Sequence, residues 1–325
     1  MVMRKYNVLV TGVGAIIGYG IIKNLRKSKF DCNIVGMDIY ADAVGQAWCD
    51  TFVQAILASD DGYVDFIKHV MDQHNIDLVM FGTEQEISRL AAAKDELSGY
   101  YDKMVLNNQV LISLSNDKYK TYEFLLNHNF PTIPSLVEGS FDEVKKIFGC
   151  PFLLKLRQSY SGKGMHVIHD ECEFDFYKSR VPESQFMVQQ IIGDNDHEYT
   201  AATFGFGDGT CLENPIIFRR KLSAEGSTAK AVKIDCDEIK RQVIEFCRLL
   251  KPMGPTNFQF RKEGEVYYLL EFNPRVSSST SIRSSFGYNE AEMSIDWFVN
   301  HQKFQSPKLK QGFAIRYIDE WVVAE

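Results

Sequence analysis

Short apolar runs alternate with helical patterns along the first 110 residues of the chain. Residues 7–11 form a β-branched run that leads into the glycine-rich turn Gly12-x-Gly14-x-x-x-Gly18, and apolar residues at helical spacing follow. A second apolar run ends in Asp38. The later patterns predict a helix over 62–74, a strand over 77–81, a helix over 86–97 and a strand over 103–106. This alternation predicts an open parallel α/β sheet of the Rossmann-like kind.

The second half of the chain follows a polar link and has a different pattern. Asn116 and Asp117 can both cap a helix that has Lys118 in its first turn. A strand at 151–156 carries Lys155 and runs into a Ser- and Gly-rich loop, after which another strand follows. A lysine in that place can reach phosphate oxygens that the loop covers, whereas an exposed lysine on an edge strand is the ordinary alternative.

A β-hairpin is predicted over residues 256–275, with Gly264 in its connection. Glu271 and Asn273 share one face of the second strand because side chains alternate with a period of two. Gln259 joins that face only if the connection holds an odd number of residues or a bulge, and Gly264 could adopt the positive φ required. Such oxygen ligands suit Mg²⁺; the alternative is a structural ion pair of Glu271 with an arginine.

Composition and charge narrow the class of protein. The chain has 325 residues, of which 45% are hydrophobic and 24% charged, so it can bury two or three packed cores and is not disordered. An excess of 43 acidic over 36 basic residues gives a net charge of -7, which disfavours nucleic acid as a partner. The seven cysteines are scattered without a C-x-x-C pair, so we expect reduced thiols, a cytoplasmic location and no membrane partner.

The glycine-rich turn has two interpretations. In a dinucleotide-binding fold, Asp38 would bond a ribose hydroxyl, but close packing of a helix on a strand also calls for small residues in such a turn. A Tyr-x-x-x-Lys pair would favour a short-chain oxidoreductase or epimerase, and the only such spacing is Tyr19 to Lys23. Both residues lie in the helix of the glycine turn itself, where they cannot face a nicotinamide bound on that turn. The oxidoreductase hypothesis is therefore disfavoured.

Taken together, the lysines and the hairpin resemble the ATP-grasp superfamily. The string Asn257-Phe-Gln259-Phe260 through Glu271-Phe-Asn273-Pro-Arg275 is most similar to the ATP-grasp units of the carbamoyl-phosphate synthetase large subunit. The resemblance covers nearly the whole chain and implies a mixed α/β fold, in which a Rossmann-like parallel sheet precedes the two ATP-grasp lobes. The domains that follow from it are 1–110 (Rossmann-like), 111–190 (small lobe with the glycine-rich lid) and 191–325 (large lobe with the metal site).

The resemblance also implies roles for individual residues, with ATP and Mg²⁺ as cofactors and Mn²⁺ as an alternative ion. The implied nucleotide-binding residues are Lys118 and Lys155 on the phosphates, Ser161, Gly162 and Gly164 in the lid, Gln189, Gln190 and Ile192 in the adenine hinge, and Glu198 on the ribose. The implied metal ligands are Gln259, Glu271 and Asn273. The implied catalytic residues are Arg275, Lys155 and Arg219. For Arg219, which lies in the basic run 219–221, a solvated charge run is the alternative.

Together, the residue roles that the resemblance implies indicate an ATP-dependent carboxylate–amine ligase with an acyl-phosphate intermediate. Two lysines, an arginine and Mg²⁺ would compensate the repulsion between a carboxylate and the ATP phosphates. One ATP-grasp unit and no recognisable glutaminase pair make the chain a stand-alone ligase rather than the synthetase itself. We expect small-molecule carboxylate and amine substrates, and a homodimer is left open. Glu84 could contact a substrate amine or simply complement a helix N-terminus. An ATP-binding or sensing protein without turnover, and a kinase, are the alternatives.

Overall fold

The structure of the protein, a computed structural model, describes residues 4–159, 164–180, 182, 185–224 and 226–323. These residues form three β-sheets that follow one another along the chain. The first sheet is parallel with the order β3-β2-β1-β4. Its strands are β1 (Lys5–Thr11), β2 (Asp31–Asp38), β3 (Thr51–Gln54) and β4 (Leu78–Met80), and its helices are α1 (Ile16–Arg26), α2 (Tyr63–Gln73) and α3 (Glu84–Ala92). The Rossmann-like prediction for this part of the chain is confirmed.

The glycines of the first turn allow α1 to lie directly against the sheet. A Cβ atom on Gly18 would lie 2.2 Å from the carbonyl oxygen of Gly12, and one on Gly82 would lie 2.3 Å from that of Thr11. Gly12 itself has a φ of +58°, which favours glycine. Because backbone meets backbone at these points, close packing alone explains the small residues.

One predicted strand is wrong. Residues 103–106 form only an isolated parallel bridge, between Met104 and Val79, and do not extend the sheet. The reason lies in the next residue, because the Asn107 side chain donates to Thr256 Oγ1 at 2.9 Å and accepts from the Met253 amide at 2.9 Å. These bonds direct the chain towards the third sheet before a fifth strand can form.

The middle segment begins with two helices, α4 (Gln109–Ser115) and α5 (Lys118–Asn127). A small antiparallel sheet follows, and two further helices, α6 (Phe141–Phe148) and α7 (Glu171–Lys178), lie between its strands in the chain. The strands are β5 (Ser135–Leu136), β6 (Phe152–Leu156), β7 (Met165–Ile168) and β8 (Phe186–Gln190), in the order β5-β8-β6-β7. One face of this sheet packs on α6 and α7 through an aromatic core that includes Phe141, Phe152 and Phe174. The other face is open to the cleft described below.

The third sheet is antiparallel and has the order β13-β12-β9-β10-β11-β14. Its strands are β9 (Glu198–Phe206), β10 (Ile216–Leu222), β11 (Thr228–Ile234), β12 (Met253–Glu263), β13 (Val266–Asn273) and β14 (Phe313–Ile315), and α8 (Asp237–Leu250) lies between β11 and β12. One face carries the core formed with α4, α5 and α8, which includes Leu111, Leu125 and Phe246. The helices α4 and α5 thus pack on the third sheet, although they precede the second sheet in the chain.

The segment after β13 joins the third sheet to the first lobe. It forms α9 (Thr280–Ser285), α10 (Glu290–Ser294) and one π-helical turn, Ile295–Val299. Ala291 and Ile295 belong to the core beneath α1, and Asn24 of α1 donates to Thr280 Oγ1 at 2.7 Å. These contacts place the end of β13 beside the carboxyl edge of the parallel sheet. Within the described ranges, every helix is too short or too polar to cross a membrane.

Candidate active site

The hairpin of β12 and β13 presents polar side chains on the face opposite the core with α8. Gln259 lies directly across from Glu271, and the register shifts between Gln259 and Phe260, so the bulge that the sequence required is present. Gly264 in the turn has a φ of +56°. The predicted common face of Gln259, Glu271 and Asn273 is therefore confirmed.

Glu271 is the only carboxylate of this trio and receives hydrogen bonds from the two amides beside it. Gln259 Nε2 donates to Glu271 Oε1, and Asn273 Nδ2 donates to the same oxygen at 3.1 Å. The amide oxygens are held by arginines, because Arg220 donates to Gln259 Oε1 and Arg275 donates to Asn273 Oδ1 at 3.2 Å. The amides thus orient one carboxylate while guanidinium groups orient the amides.

This donor set suits a hard divalent cation with other ligands from outside the protein. Mg²⁺ is ordinarily bound by one or two carboxylates together with substrate phosphates and water. Glu271 supplies one carboxylate, and Gln259 and Asn273 flank it with side-chain amides whose oxygens the arginines hold. Within the described parts of the chain there is no group of three or more His, Cys, Asp or Glu side chains that could form an all-protein cage. The residues therefore fit Mg²⁺ in a site that a nucleotide completes.

Glu198 lies at the same face, but both its carboxylate oxygens accept from arginines. Arg220 Nη2 is 3.3 Å from Oε1, and Arg261 donates from Nε at 3.2 Å and from Nη2 at 2.9 Å to Oε2. Glu198 and Arg220 are almost fully buried, since each exposes less than 5% of its side chain. The resemblance implies a ribose contact for Glu198, and this role stays a prediction for a carboxylate that already holds two guanidinium groups.

The choice of Arg219 as the catalytic arginine of the basic run needs correction. Arg219 and Arg220 are neighbours on β10, so their side chains point to opposite faces. Arg220 faces Glu198 and Gln259, whereas Arg219 lies exposed on the other side of the sheet. Arg219 lines a surface cavity of about 390 Å³, whose other lining residues include Lys221, Lys230 and Arg220 itself. The structure thus brings Arg220 to the site and leaves Arg219 outside it.

A buried ion pair is hydrogen-bonded to the sheet that carries the candidate metal ligands. Arg283 and Glu290 have no exposed side-chain surface, and Arg283 Nη1 is 3.1 Å from Glu290 Oε1. Arg283 Nη2 donates to Thr200 Oγ1 at 3.0 Å, and Thr200 in turn donates to Asn257 Oδ1 at 2.6 Å. Asn257 is paired with Asn273 across the hairpin. The network therefore connects α9 and α10 to the strands that carry the candidate metal ligands.

Lys118 reaches the cleft from the start of α5. Asp117 caps this helix through the Tyr119 and Lys120 amides and is held by Arg157 at 2.7 and 3.1 Å. Although burial raises the pKa of Asp117, the Arg157 hydrogen bond brings it below its ordinary value. Lys118 Nζ donates to the Ser159 carbonyl at 2.9 Å and to its hydroxyl at 3.0 Å, so it lies beside the start of the glycine-rich loop.

Lys155 lies on β6 with its side chain on the cleft face of the small sheet. Its Nζ donates to Gln189 Oε1 at 2.6 Å, and Gln189 Nε2 donates to Ser135 Oγ at 2.8 Å. Burial and the nearby charge of Lys118 lower the pKa of Lys155 to about 8, while Glu271 acts in the opposite direction. The two predicted lysines are therefore near enough to Glu271 to feel its charge, although Lys118 lies on α5, Lys155 on the small sheet and Glu271 on the third sheet.

The hinge residues divide between the two faces of β8. Gln189 shares its face with Lys155, whereas Gln190 follows Phe186 and Val188 on the face that packs on the aromatic core. The backbone N–H of Gln190 donates to the Pro134 carbonyl at 3.0 Å, and Ile192 is buried just after the strand. Of the two glutamines, Gln189 is therefore the one that the strand directs into the cleft. Their contacts with adenine stay predictions.

The lid falls partly outside the described residues. Ser161 and Gly162 lie outside them. Gly164 is described, has a φ of +69° and accepts from the Leu156 amide through its carbonyl at 3.1 Å. A Cβ atom on Gly164 would lie 2.6 Å from the Leu156 side chain, so a glycine is required where the loop returns to β7.

Glu84 meets Arg275 across the junction of the first lobe and the third sheet. Arg275 Nε donates to Glu84 Oε1 at 2.9 Å, and Nη2 donates to the same oxygen. The sequence left a substrate amine or the N-terminus of α3 as the partner of Glu84. The observed partner is the arginine that follows the candidate metal ligands.

The carboxyl edge of the parallel sheet satisfies its other acids locally. Asp38 Oδ2 accepts from the Gly14 amide at 2.7 Å and Oδ1 accepts from the Tyr40 amide at 3.0 Å, so Asp38 holds the glycine turn itself. Glu86 is buried among hydroxyl groups and accepts from Tyr63 at 2.7 Å and from Thr83 at 2.7 Å. Burial raises the pKa of Glu86, against the opposing effect of these donors. From the sequence, Glu86 was predicted only as the first residue of a helix, and its buried site was missed.

Other residues of the site were missed because their partners are distant in sequence. Arg261 could have been found from the period of two, since it follows Gln259 on the same face of β12. Arg157 had no such signal, because its link to Asp117 depends on how β6 meets α5.

Comparison with known proteins agrees with this geometry. Residues 197–321, which contain the third sheet, match the family described as ATP-grasp in the biosynthetic pathway with Ter operon. The chain is 24% identical over 312 residues to the carbamoyl phosphate synthase large chain of Clostridium botulinum, and the match covers 85% of this chain and 27% of that one. It is 30% identical over 176 residues to the uncharacterized protein MG011 homolog of Mycoplasma pneumoniae, with 54% of this chain and 55% of that protein covered.

The fold has a counterpart among solved structures. The β-γ-ATP complex of biotin carboxylase from Campylobacter jejuni superposes with a TM-score of 0.75 at 14% identity, covering 94% of this chain and 74% of that one. The chain thus has the ATP-grasp fold, with a Rossmann-like sheet before the ATP-grasp lobes. In sequence it is similar to part of the carbamoyl phosphate synthase large chain, although it spans only about half the length of the Mycoplasma relative and a quarter of the Clostridium one.

Proposed function

We propose that the protein is a stand-alone, ATP- and Mg²⁺-dependent carboxylate–amine ligase that acts through an acyl phosphate. The observation that supports this most strongly is the convergence of two lysines from the small lobe on the face that carries Glu271. Lys118 and Lys155 have lowered pKa values because of burial, and Glu271 opposes that effect in both. A cleft with cations on one wall and a carboxylate flanked by amides on the other suits a metal-bound triphosphate.

The residues of the chain would divide the chemistry as follows. Lys118 and Lys155 would bind the phosphate oxygens of ATP, and Arg275 would hold the attacking carboxylate. That carboxylate attacks the γ-phosphorus, the bond to ADP breaks, and ADP leaves with the electron pair. The amine then attacks the acyl carbon and loses protons, and inorganic phosphate leaves. The cations offset the repulsion between two anions that must meet in line.

Glu271, with Gln259 and Asn273, would hold the metal ion. When bound, Mg²⁺ or Mn²⁺ would supply charge that neutralises the phosphates and that the protein alone does not provide. Arg220 and Arg275 now bond the side-chain oxygens of Gln259 and Asn273, so these oxygens would turn from the arginines to the metal ion when it binds. We place the reaction in the cytoplasm because all seven cysteines are free thiols.

Binding without turnover is the principal alternative, and a kinase is the second. A sensor needs to hold ATP but has no need of an arginine beside the metal ligands, and Arg275 is oriented there by Asn273 and the Val276 carbonyl at 2.8 Å. A kinase would release ADP without an amine and would leave a phosphorylated product. The amine dependence of phosphate release therefore separates a ligase from a kinase.

The proposal is tested by a paired screen of small carboxylates and amines. Purified protein is incubated with ATP, Mg²⁺ and each pair, and ADP and phosphate are measured. We expect ADP formation that requires a carboxylate, phosphate release that requires an amine, and loss of both on addition of a chelator. Trapping with hydroxylamine should yield the hydroxamate of the active carboxylate. ADP formation that persists without any carboxylate, or a stable phosphorylated product, would contradict the ligase.

A further inference from the structure

The contact between Glu84 and Arg275 joins two lobes at the place where a substrate must approach ATP. Glu84 is the first residue of α3 in the parallel lobe, and Arg275 follows β13 of the third sheet. Their side chains are 24% and 14% exposed, so the pair is open to the cleft rather than sealed in a core. Both charges are therefore within reach of a ligand.

The pair also lies near the residues proposed to bind phosphate. Burial lowers the pKa of Lys118, while the carboxylates of Glu271 and Glu84 both act to raise it. Lys118 is thus near both acids, one in each lobe. A molecule bound between Glu84 and Arg275 would accordingly lie beside the γ-phosphate end of the proposed ATP site.

The other acids around the cleft already have fixed partners. Asp117 is held by Arg157, Glu198 by Arg220 and Arg261, and Glu271 by the two amides beside it. Glu84 is different, because its partner is the arginine that the proposed function assigns to the substrate carboxylate. If Arg275 turns to that carboxylate, Glu84 loses its cation while a triphosphate and a second anion stand close to it. Leaving a partly buried carboxylate without a partner is unfavourable.

We infer that the substrate phosphorylated by this protein is an amino acid, whose carboxylate binds Arg275 and whose ammonium group binds Glu84. The inference rests on the proposed ligase function and names the substrate class of that site. In an α-amino acid the two charged groups are carried on one carbon, so they match two protein groups that lie side by side. The zwitterion replaces one ion pair within the protein by two ion pairs with the ligand, and no charge is left unpaired.

Plain carboxylates and bicarbonate are poor substrates on this account. They satisfy Arg275 and leave Glu84 facing another anion. With an amino acid, the balanced reaction consumes ATP, the amino-acid carboxylate and an amine in its ammonium form, and it yields an amide, ADP, phosphate and one proton. The ammonium group on Glu84 takes no part in bond formation and serves only to select and orient the substrate.

Binding can be measured apart from turnover. The full chain, loaded with Mg²⁺ and a non-hydrolysable ATP analogue, is titrated calorimetrically with a panel of α-amino acids and with the des-amino carboxylate of each. At least one amino acid should bind about tenfold or more tightly than its des-amino counterpart, as expected for one charge-assisted contact. Equal affinity throughout the panel, or tighter binding of the des-amino acids, would overturn the inference.

Substitution of Glu84 tests whether this residue makes the distinction. Glu84→Gln keeps the size of the side chain and removes its charge, and Glu96→Gln makes the same change at an exposed site of the same lobe. The preference for the amino acid should be lost in Glu84→Gln and kept in Glu96→Gln, with thermal unfolding showing that both are folded. A preference that survives in folded Glu84→Gln would remove Glu84 from substrate recognition.

Turnover separates this inference from the ligase proposal. Hydroxamate formation from plain carboxylates but not from amino acids would contradict the inference and leave the ligase standing. Amino-acid binding that depends on Glu84, without hydroxamate from any carboxylate, would contradict the ligase and support the binding site. Hydroxamate formed from amino acids and weakened by Glu84→Gln would support both.

Discussion

The parallel sheet of the first lobe and the antiparallel sheet of the last one use their acidic side chains in opposite ways. Glu86 at the edge of the parallel sheet is surrounded by hydroxyl groups of its own lobe, and Asp38 holds the backbone of the neighbouring turn. Glu271 is held by side-chain amides of its own strand and of β12, and it lies near Lys118 of α5 and Lys155 of the small sheet. Glu86 and Asp38 are thus satisfied by neutral donors of their own lobe, whereas Glu271 lies where charged groups from separate elements meet.

The contacts of the glycine turn are likewise made within the first lobe. Its glycines lie where backbones meet, and the acid after β2 bonds to the turn rather than pointing away from it. The packing of this turn is thus explained within the first lobe, and the side chain of this lobe that meets the third sheet at Arg275 is Glu84 on the following helix.

Removing the carboxylate of Glu271 should produce the largest effect on ATP turnover. Glu271→Ala deletes the one carboxylate among the candidate metal ligands, so we expect ATP turnover to fall about a hundredfold or more. Circular dichroism should show an unchanged fold, since Glu271 is not part of an apolar core. Glu265→Ala on the turn of the same hairpin is the matched control, because its side chain is 95% exposed. Equal turnover in the two variants would remove Glu271 from the reaction.

Filling the glycine turn should instead affect the folded state. Gly18→Ala places a methyl group 2.2 Å from a backbone oxygen, and we expect the free energy of unfolding to fall by about 2–3 kcal/mol. Urea denaturation of the variant measures this change. The control is Gly62→Ala, where the nearest atom would be 4.0 Å away and a change of less than about 1 kcal/mol is expected. A stable Gly18→Ala protein that no longer binds nucleotide would show that the turn is a ligand site.

The pH dependence of ATP binding should show the third and smallest effect. Burial and Lys118 lower the pKa of Lys155 to about 8 in the free protein, so its charge is present below that pH and is lost above it. Because the anionic phosphates favour the charged lysine, ATP affinity should fall as the pH rises through 8, by up to about tenfold per pH unit. Calorimetric titrations at several pH values test this expectation.

Two lysine variants assign that pH dependence to a residue. Lys155→Arg should flatten it, since a guanidinium stays charged over this range. The exposed Lys146, changed in the same way, should leave the profile as in the wild type. An unchanged profile in Lys155→Arg would mean that another group titrates.

The features that the sequence predicted are those governed by neighbours in the chain. The cap at Asp117, the bulged register of Gln259 and Glu271, and the alternation of the first lobe all follow from local spacing. Arg219 was chosen where the structure places Arg220, because the choice depends on which face of β10 carries the site. That face is set by the pairing of β10 with β9, and the sequence of β10 alone does not reveal it. The strand at 103–106 failed for a similar reason, since Asn107 bonds to residues more than a hundred positions away.

The contact of Glu84 with Arg275 was even harder to predict from the sequence. Glu84 and Arg275 are 191 positions apart, and each has an adequate local explanation on its own. Their pairing depends on the way α9 and α10 attach the third sheet to α1, through contacts such as Asn24 with Thr280. Side-chain roles that arise between lobes thus require the assembled structure.

The buried pair of Arg283 and Glu290 constrains how this protein can change through evolution. Each residue is enclosed without exposed surface, and each is the charge partner of the other. Loss of either one leaves an uncompensated charge in the interior, which is strongly destabilising, so single-step substitutions there are disfavoured. Single substitutions that change substrate preference are therefore expected to be tolerated at the rim of the cleft rather than at this pair.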